Sequence, residues 1–445
     1  MSQPAFASAP RTDAANVSPF ASQDHSAADR PLVGISTIIR MFYAKQDVTA
    51  VWDGLVARAK ADPGDVPALM DLSLLLQSTG PKGLEMQAAA VKMQPVFRRV
   101  HGTGRGLRVA AFMVAGDMTA NTPIDFLLEG SDMVLYLVYL DAKMEKLPDI
   151  PPVDVAYLAI GESPANRAVL ANAERLLTGW HVKGQRGAPI LNFQPARIAA
   201  MTRDHLHDVL VNEPSILSPK LLRVTRVILE ALTFDTQAGP AEFTLHDTPF
   251  AFPIIIRPIG THAGDGMEKI DDVAALRTYL AASREACFYV SAFVNCADSE
   301  GLYRKQRIAF IQGKPYASHL AVSSHWMVHY LSAEMDQHAV RRAEEARWMA
   351  TFDSEFAPRY KQAFAALVKA FDLDYFVIDC AELPDGRLLL FEADVIMIVH
   401  DMDSEEVFPY KKPIMRKLFR AFQDALTRAA NAGAAADLSL GSLSP

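Results

Sequence analysis

The pattern of apolar and polar positions changes character three times along the chain. From Val33 to about Phe97 it is helical, with Ile35, Ile38, Ile39 and Phe42, then Val51, Leu55 and Ala59, recurring three to four residues apart. Within it, Val66 to Leu76, after Asp65, and Glu85 to Met93, after Gly80-Pro81, predict a pair of helices. Short apolar runs then predict buried strands at Arg108–Val114, Met133–Tyr139, Val155–Ile160 and Pro189–Phe193. A helix from Pro164 to Trp180, with Ser163 as N-cap, separates the last two. Such alternation predicts a small parallel sheet. Arg203–Val211 and Ser218–Leu232 read as helices. From Phe252 strands dominate: Phe252–Ile259, Phe288–Val294, Arg307–Ile311 and Tyr316–Val322, then a hairpin at Tyr375–Ile396. Helices are expected at about Asp271–Ala282, Ala333–Thr351, Phe356–Phe371 and Pro413–Ala430.

This divides the chain into a disordered arm over 1–31, a helical segment over 32–100 and a small α/β domain over 101–195. A larger domain over 196–430 and a disordered tail over 431–445 complete it. The fold class is α/β and α+β. Among 445 residues, 50% are hydrophobic and 22% charged, ordinary for a globular protein. A net charge of −8 gives no electrostatic reason to expect nucleic acid or an anionic membrane as partner. No apolar run is long enough to span a bilayer, and the N-terminus lacks the basic and apolar regions of a secretory signal. The three cysteines, Cys287, Cys296 and Cys380, have no CxxC spacing and, with Cys287 and Cys380 inside apolar strand patterns, read as buried thiols in a reducing compartment. A cytoplasmic protein is the expectation.

The densest chemistry lies in the last hairpin. Tyr375 to Leu383 turns at Pro384-Asp385-Gly386-Arg387 and returns through Leu388 to Asp394. Asp-Gly between apolar runs signals a tight hairpin. A two-residue loop puts Asp379 directly opposite Glu392, and alternation puts Asp394 on the face of Glu392. Like charges so opposed repel by roughly 4 kcal/mol at ~4 Å and an effective dielectric near 20. Three acids in an apolar ribbon therefore need a cation, protons or a cluster of Arg and Lys. Oxygen-only ligands suit magnesium, so Asp379, Glu392 and Asp394 are the candidate metal ligands.

A second feature is the strand Phe252–Ile259, which carries Arg257 and runs into Gly260-Thr261-His262-Ala263-Gly264-Asp265-Gly266. Its glycines let backbone N–H groups approach an anion, and the nearby cation would complete a phosphate cradle. A glycine-rich hairpin turn is the competing reading, and the GK[ST] ending of a P-loop is missing.

Taken in order, these features form a set: a basic strand, a glycine-rich loop, a basic strand pair, a helix and an acid-x-acid hairpin. The set resembles the ATP-grasp superfamily of carboxylate–amine and carboxylate–thiol ligases over about Arg108 to Phe422. The resemblance implies two α+β lobes clamping ATP and Mg²⁺, preceded by a small α/β domain. It implies phosphate contacts from Arg257, from Arg203 in the helix entry spanning Asn192 to Leu210, which also holds Asn192 and Asp204, and from Gly260, Thr261, His262, Gly264, Asp265 and Gly266. It implies an adenine hinge at Ala292, Phe293, Val294 and Asn295. Tyr303-Arg304-Lys305-Gln306-Arg307 corresponds to the strand that stabilises an acyl phosphate, with Arg307 the foremost catalytic candidate beside Arg257 and Arg304. Three positions depart from the family pattern. Arginines stand for both usual lysines, Asp394 stands for the usual Asn, and the hinge Ser291-Ala292-Phe293 lacks an acid or amide.

The implied activity joins a carboxylate, activated as an acyl phosphate, to an amine on a small or peptide substrate. The helical segment resembles one tetratricopeptide-like hairpin, either a module for a protein or peptide partner or a cap on the next domain. A non-catalytic ATP-binding adaptor that uses it is the alternative function. A homodimer is compatible with either. Two further readings stay open: His325 and His329 on one helical face, as a zinc pair or a substrate wall, and Asn121, facing substrate or shaping a turn.

Overall fold

A computed structural model describes residues 29–77, 80–182, 188–234, 242–261 and 264–441. Residues 1–28 of the expected arm, 442–445 of the expected tail and His262 lie outside the described residues.

The N-terminal segment folds as α1 (Ile35–Tyr43), α2 (Thr49–Ala61), α3 (Val66–Gln77) and α4 (Lys82–Met93). Asp65 starts α3 by accepting the Ala68 N–H at 3.2 Å, while Arg58 and Arg30 neutralise its carboxylate. Helices α3 and α4 approach closely at Gly83, where any Cβ would strike the Ser73 carbonyl and the Gln77 backbone. Their apolar faces close one cluster within the segment, around Ile38, Leu55 and Leu72. A second cluster unites Leu32, Val66, Met70 and Ala90 with Phe97 and Tyr139 of the next domain. The segment is thus packed onto the α/β domain. Phe97 corrects the expectation that the helical segment extends to residue 100: Val96–Val100 is a strand, β1, whose β-branched ends pair across the sheet.

The small domain continues with β2 (Arg108–Met113), α5 (Ile124–Leu127), β3 (Val134–Tyr139), β4 (Val155–Leu158), α6 (Arg167–Val182), β5 (Ile190–Leu191), α7 (Pro195–Ala199) and α8 (Leu206–Leu210). Its sheet has the order β1-β3-β2-β4-β5, parallel as predicted except for β1 at one edge. Ser163 accepts the Asn166 N–H at 3.0 Å in the turn before α6, close to its expected capping role.

The middle lobe holds β7 (Leu221–Thr225), reached through the short β6 (Ile216–Leu217), then α9 (Arg226–Phe234) and the hairpin β8 (Glu242–Leu245) and β9 (Thr248–Ala251). It is completed by β10 (Ile254–Pro258), β11 (Glu268–Ile270), α10 (Val273–Ala282) and β12 (Cys287–Ala292). Its antiparallel sheet runs β11-β10-β12-β7. Ser218–Leu232 was expected to be one helix. Its first half is instead β7, because Leu222 and Val224 pair with β12 and bury against the lobe's own core of Leu229, Ile256, Leu276 and Phe288.

The last lobe comprises β13 (Tyr303–Ile311), β14 (Lys314–Ser323), α11 (Ala339–Thr351), α12 (Ala357–Arg359), α13 (Lys361–Phe371), β15 (Tyr375–Glu382), β16 (Leu388–Asp394) and α14 (Lys411–Gly441). Its sheet is β14-β13-β15-β16-β6. Helix α14 runs on to Gly441, past the predicted end at Ala430, so the expected disordered tail is helical as far as that residue. Phe422 of α14 lies edge-on to Tyr157 of the small sheet and Tyr375 of this lobe, at 5.4 and 5.5 Å. One apolar core therefore runs through the small domain and the last lobe, while the middle lobe has its own. Among the described residues no helix is long and apolar enough to cross a membrane.

Candidate functional site

The acids sit where the hairpin was expected to put them, by a different route. The turn closes one residue earlier than a two-residue loop: Leu383 N–H donates to the Arg387 carbonyl at 2.9 Å, leaving Pro384-Asp385-Gly386 as a three-residue turn with Gly386 at φ +86°. Alone, that would set Asp379 opposite Phe391. An irregularity between Asp379 and Cys380 takes up one extra residue on β16, Cys380 faces Leu390, and Asp379 faces Glu392. Phe391 is the surplus residue and is exposed.

Pairing extends this contact into a row across four strands. His319 on β14 opposes Arg307 on β13, Arg307 opposes Asp379 on β15, and Asp379 opposes Glu392 on β16. Arg307 donates to both oxygens of Asp379 at 2.8 and 2.9 Å, and Lys305, two residues along the same face, adds a third bond at 2.9 Å. Burial would raise the Asp379 pKa, but Arg307 and Lys305 hold the carboxyl well below the usual carboxylate range. His319, by contrast, is held neutral by burial and the nearby Arg307 charge, and its Nε2 is buried without a hydrogen-bond partner.

Glu392 is neutralised from the other side. Arg203, in the turn before α8, pairs with its carboxylate and donates through Nη1 to the Thr261 carbonyl at 3.4 Å. Arg257 on β10 also donates to that carbonyl. Two guanidinium groups thus converge on the glycine-rich loop beside one carboxylate. Burial, and next the charge of Arg203, push the Arg257 pKa down to about 10. Its Nε is buried with no hydrogen-bond partner. An orphaned cationic donor beside a second cation is the electrostatic signature of an anion site, and a nucleotide phosphate fits it. Gly260, Gly264 and Gly266 all take positive φ in this loop, which Tyr279 ties down by donating to the Gly266 carbonyl at 2.8 Å. Asp265 lies near enough for its charge to act on Arg257.

Asp394 shares the face of Glu392. Burial, and next the charge of Glu392, push its pKa up to about 7, while the Val395 and Ile396 N–H groups donate to one of its oxygens. This is a carboxylate short of counter-charge, and with Glu392 it fits a hard cation that takes one or two protein carboxylates and completes its shell with phosphate and water. Asp379 is engaged by Arg307 and Lys305 instead. Among the described residues no group of three or more His, Cys, Asp or Glu side chains is arranged to hold a metal ion.

The hinge candidates bridge the two lobes. Ala292 ends β12 opposite Ile254, and the Phe293 N–H donates to the Pro253 carbonyl at 3.1 Å. The Phe293 ring lies edge-on to Trp326 at 6.0 Å, with the Lys269 ammonium 5.0 Å from its centroid. Val294 packs on Ala381 and Leu389 of the other sheet, while Asn295 accepts the Ala297 N–H in a turn.

Several expectations need correction. Arg304 points to the opposite face from Lys305 and Arg307, as strand alternation dictates, and is held by Glu344 and Asp298. Asn192 is structural: buried at φ +55°, it bonds Tyr157 and both backbone groups of Tyr375, tying β5 to β15. Of the two open readings of Asn121, the structure has the turn: it exchanges hydrogen bonds with Val114 at 2.8 Å. His325 and His329 lie in a non-helical loop, so they share no helical face. A cavity of about 480 Å³ beside β1, lined by Phe97, Arg98, Tyr136 and Asp149, contains none of the predicted site residues.

A buried cluster beyond His319 carried no signal in the sequence. Lys411 at the start of α14 contacts Glu345 of α11 at 3.1 Å and Asp403 at 2.9 Å, with its ammonium 4.0 Å from the centroid of Tyr330. Tyr330 in turn lies 4.5 Å from the His319 ring. Burial raises the Glu345 pKa to about 8 and lowers that of Lys411. These residues come from segments far apart in sequence, and none has a spacing that marks it.

No protein-family model matches the chain, and no curated protein matches it. Among solved structures it is similar to a RimK domain protein ATP-grasp from Sphaerobacter thermophilus DSM 20745, at 13% identity and TM-score 0.39, over 72% of this chain and 99% of that one. It is also similar to a D-alanine–D-alanine ligase from Bacillus anthracis complexed with ATP, at 13% identity and TM-score 0.37, over 74% and 99%. A third is the D-alanine–D-alanine ligase from Coxiella burnetii, at 10% identity and TM-score 0.39, over 75% and 99%.

Proposed function

We propose that the protein is an ATP- and Mg²⁺-dependent ligase of the ATP-grasp type, which activates a carboxylate as an acyl phosphate and couples it to an amine. The observation that carries this reading is the convergence of Arg203 and Arg257 on Thr261. It joins the glycine-rich loop of one lobe to the acid strand of the other through cations with a donor to spare.

In the first step a substrate carboxylate oxygen attacks the γ-phosphorus. The new O–P bond forms as the bond to the β,γ-bridging oxygen breaks, and ADP leaves. Arg203 and Arg257 bind the phosphates, and Arg307, preset by Asp379, stabilises charge on the transferred phosphoryl group. In the second step the amine attacks the acyl carbon. A C–N bond forms, the C–O bond to phosphate breaks, and the amine proton leaves with phosphate or water. Glu392 and Asp394 are the residues that would hold magnesium, which supplies charge neutralisation at the phosphates.

A panel of carboxylates and amines assayed for substrate-dependent ADP formation tests the reading. ADP release that requires both an acid and an amine is expected. Nucleotide binding without ADP release on any pair would replace the ligase with an adaptor.

A further inference from the structure

The acid strand continues into residues 395–403, and elements from three parts of the fold hold this stretch. The Thr122 hydroxyl of the small domain donates to the Val395 carbonyl at 2.9 Å. The Ile398 carbonyl accepts from Arg307 Nη1 at 3.0 Å. The His400 ring lies edge-on to Tyr43 of α1 at 5.1 Å. Asp401, its side chain fully buried, pairs with Arg416 of α14 at 2.9 Å and with Arg40 of α1, which also reaches the Asp401 carbonyl. Arg40 is itself held by Glu129 in the turn after α5. A line of contacts therefore runs from α1 through Asp401 to the backbone at Ile398 and on to the guanidinium of Arg307.

Arg307 depends on that line for its aim. Asp379 fixes Nε and Nη2, and the remaining nitrogen, Nη1, is directed by the Ile398 carbonyl. A planar guanidinium bound on two edges has its third side set by geometry, so a shift of residues 398–401 tilts the group. Arg40 and Tyr43 secure the far end of this short stretch from an element that provides none of the residues assigned to the site.

We propose that Arg40 and Tyr43 are positioning residues for Arg307, and that the N-terminal helical segment is an integral part of the catalytic unit. This rests on the ligase reading, because it assigns Arg307 to the transferred phosphoryl group. Arg40 and Tyr43 act only through residues 398–401 and touch no substrate.

The test measures binding of two probes by calorimetry with Mg²⁺ present: ADP, and the β,γ-imido analogue of ATP. Wild type is expected to prefer the analogue, through Arg307. The Arg40→Ala, Tyr43→Ala double variant should keep its ADP affinity within about twofold and lose on the order of tenfold for the analogue, as expected when an outer partner of a site residue is removed. Arg307→Lys should show the same selective loss, and Arg40→Lys an intermediate one. Because ADP binding reports an intact fold, a parallel loss of both affinities in the double variant marks general unfolding and passes the decision to the conservative variant. Arg40→Lys, which keeps the charge, then decides: wild-type discrimination there overturns the inference. Equal discrimination in wild type and double variant also overturns it. A wild-type chain that binds neither probe removes the ligase reading itself, and the inference with it.

Discussion

Asp379 and Glu392 face each other across the β15–β16 hairpin, and each is neutralised from its own side, Asp379 by Arg307 and Lys305 and Glu392 by Arg203. The repulsion inherent in such a pair is thus absorbed by three cations drawn from two parts of the chain. Arg203 has the further task of contacting the glycine-rich loop, so Glu392 connects the metal candidates to the phosphate candidates.

Glu392→Gln keeps the shape of the side chain and removes its charge. The variant should fold with wild-type circular dichroism, lose substrate-dependent ADP formation, and bind Mg²⁺–ATP at least about tenfold more weakly. Calorimetry and an ADP assay check this, and full activity in the variant would refute the role of Glu392.

Asp379→Asn leaves Arg307 and Lys305 without their shared counter-ion. Removing one partner of a buried pair costs roughly 3–5 kcal/mol, so the denaturation midpoint should fall clearly. A midpoint equal to wild type in urea would show that the two cations find other partners or solvent.

Arg257→Ala removes the buried Nε that lacks a partner along with the rest of the guanidinium. Among the described residues Arg257 makes no ion pair, so stability should change little while affinity for ATP falls. A charge-assisted contact to phosphate is worth about 1.5–3 kcal/mol, equivalent to roughly ten- to hundredfold in the dissociation constant. Unchanged nucleotide affinity would remove Arg257 from the phosphate site.

Asp71 predicts a pH dependence of stability. Buried in α3 and accepting the Val33 and Gly34 N–H groups, its carboxyl has a pKa raised to about 6 by burial. In the unfolded chain it titrates near 3.9. Between about pH 4 and pH 6 the native state therefore holds more protons than the unfolded state, and this group's contribution falls as pH rises through that window. Asp71→Asn, which keeps an acceptor oxygen, should flatten that part of the slope. Urea midpoints of the two proteins at pH 4.5, 5.5 and 7 measure the difference.

Residues that act locally were legible in the sequence, and residues that act across the fold were not. The acid hairpin, Arg257 and the glycine-rich loop announce themselves by composition and spacing within a few residues. Arg304 lies in the same basic cluster, but alternation puts it on the far face from Lys305 and Arg307, where Asp298 and Glu344 hold it. Strand β7 is not legible as one, since Leu221–Thr225 has no distinctive period and pairing with β12 decides its state. Lys411, Glu345 and Tyr330 meet only after three segments have folded together. The same holds for Arg40 and Asp401, since contacts of that separation leave no periodic trace.

Phe391 gives the acid ribbon a spare link. Deleting it would regularise β16 while Glu392 still met Asp379, whereas deleting Ala393 would swing Asp394 round against the greasy side that holds Ile378. Tolerance to a lost residue therefore changes abruptly within two positions, and the chemistry is shielded from length variation on the turn side alone.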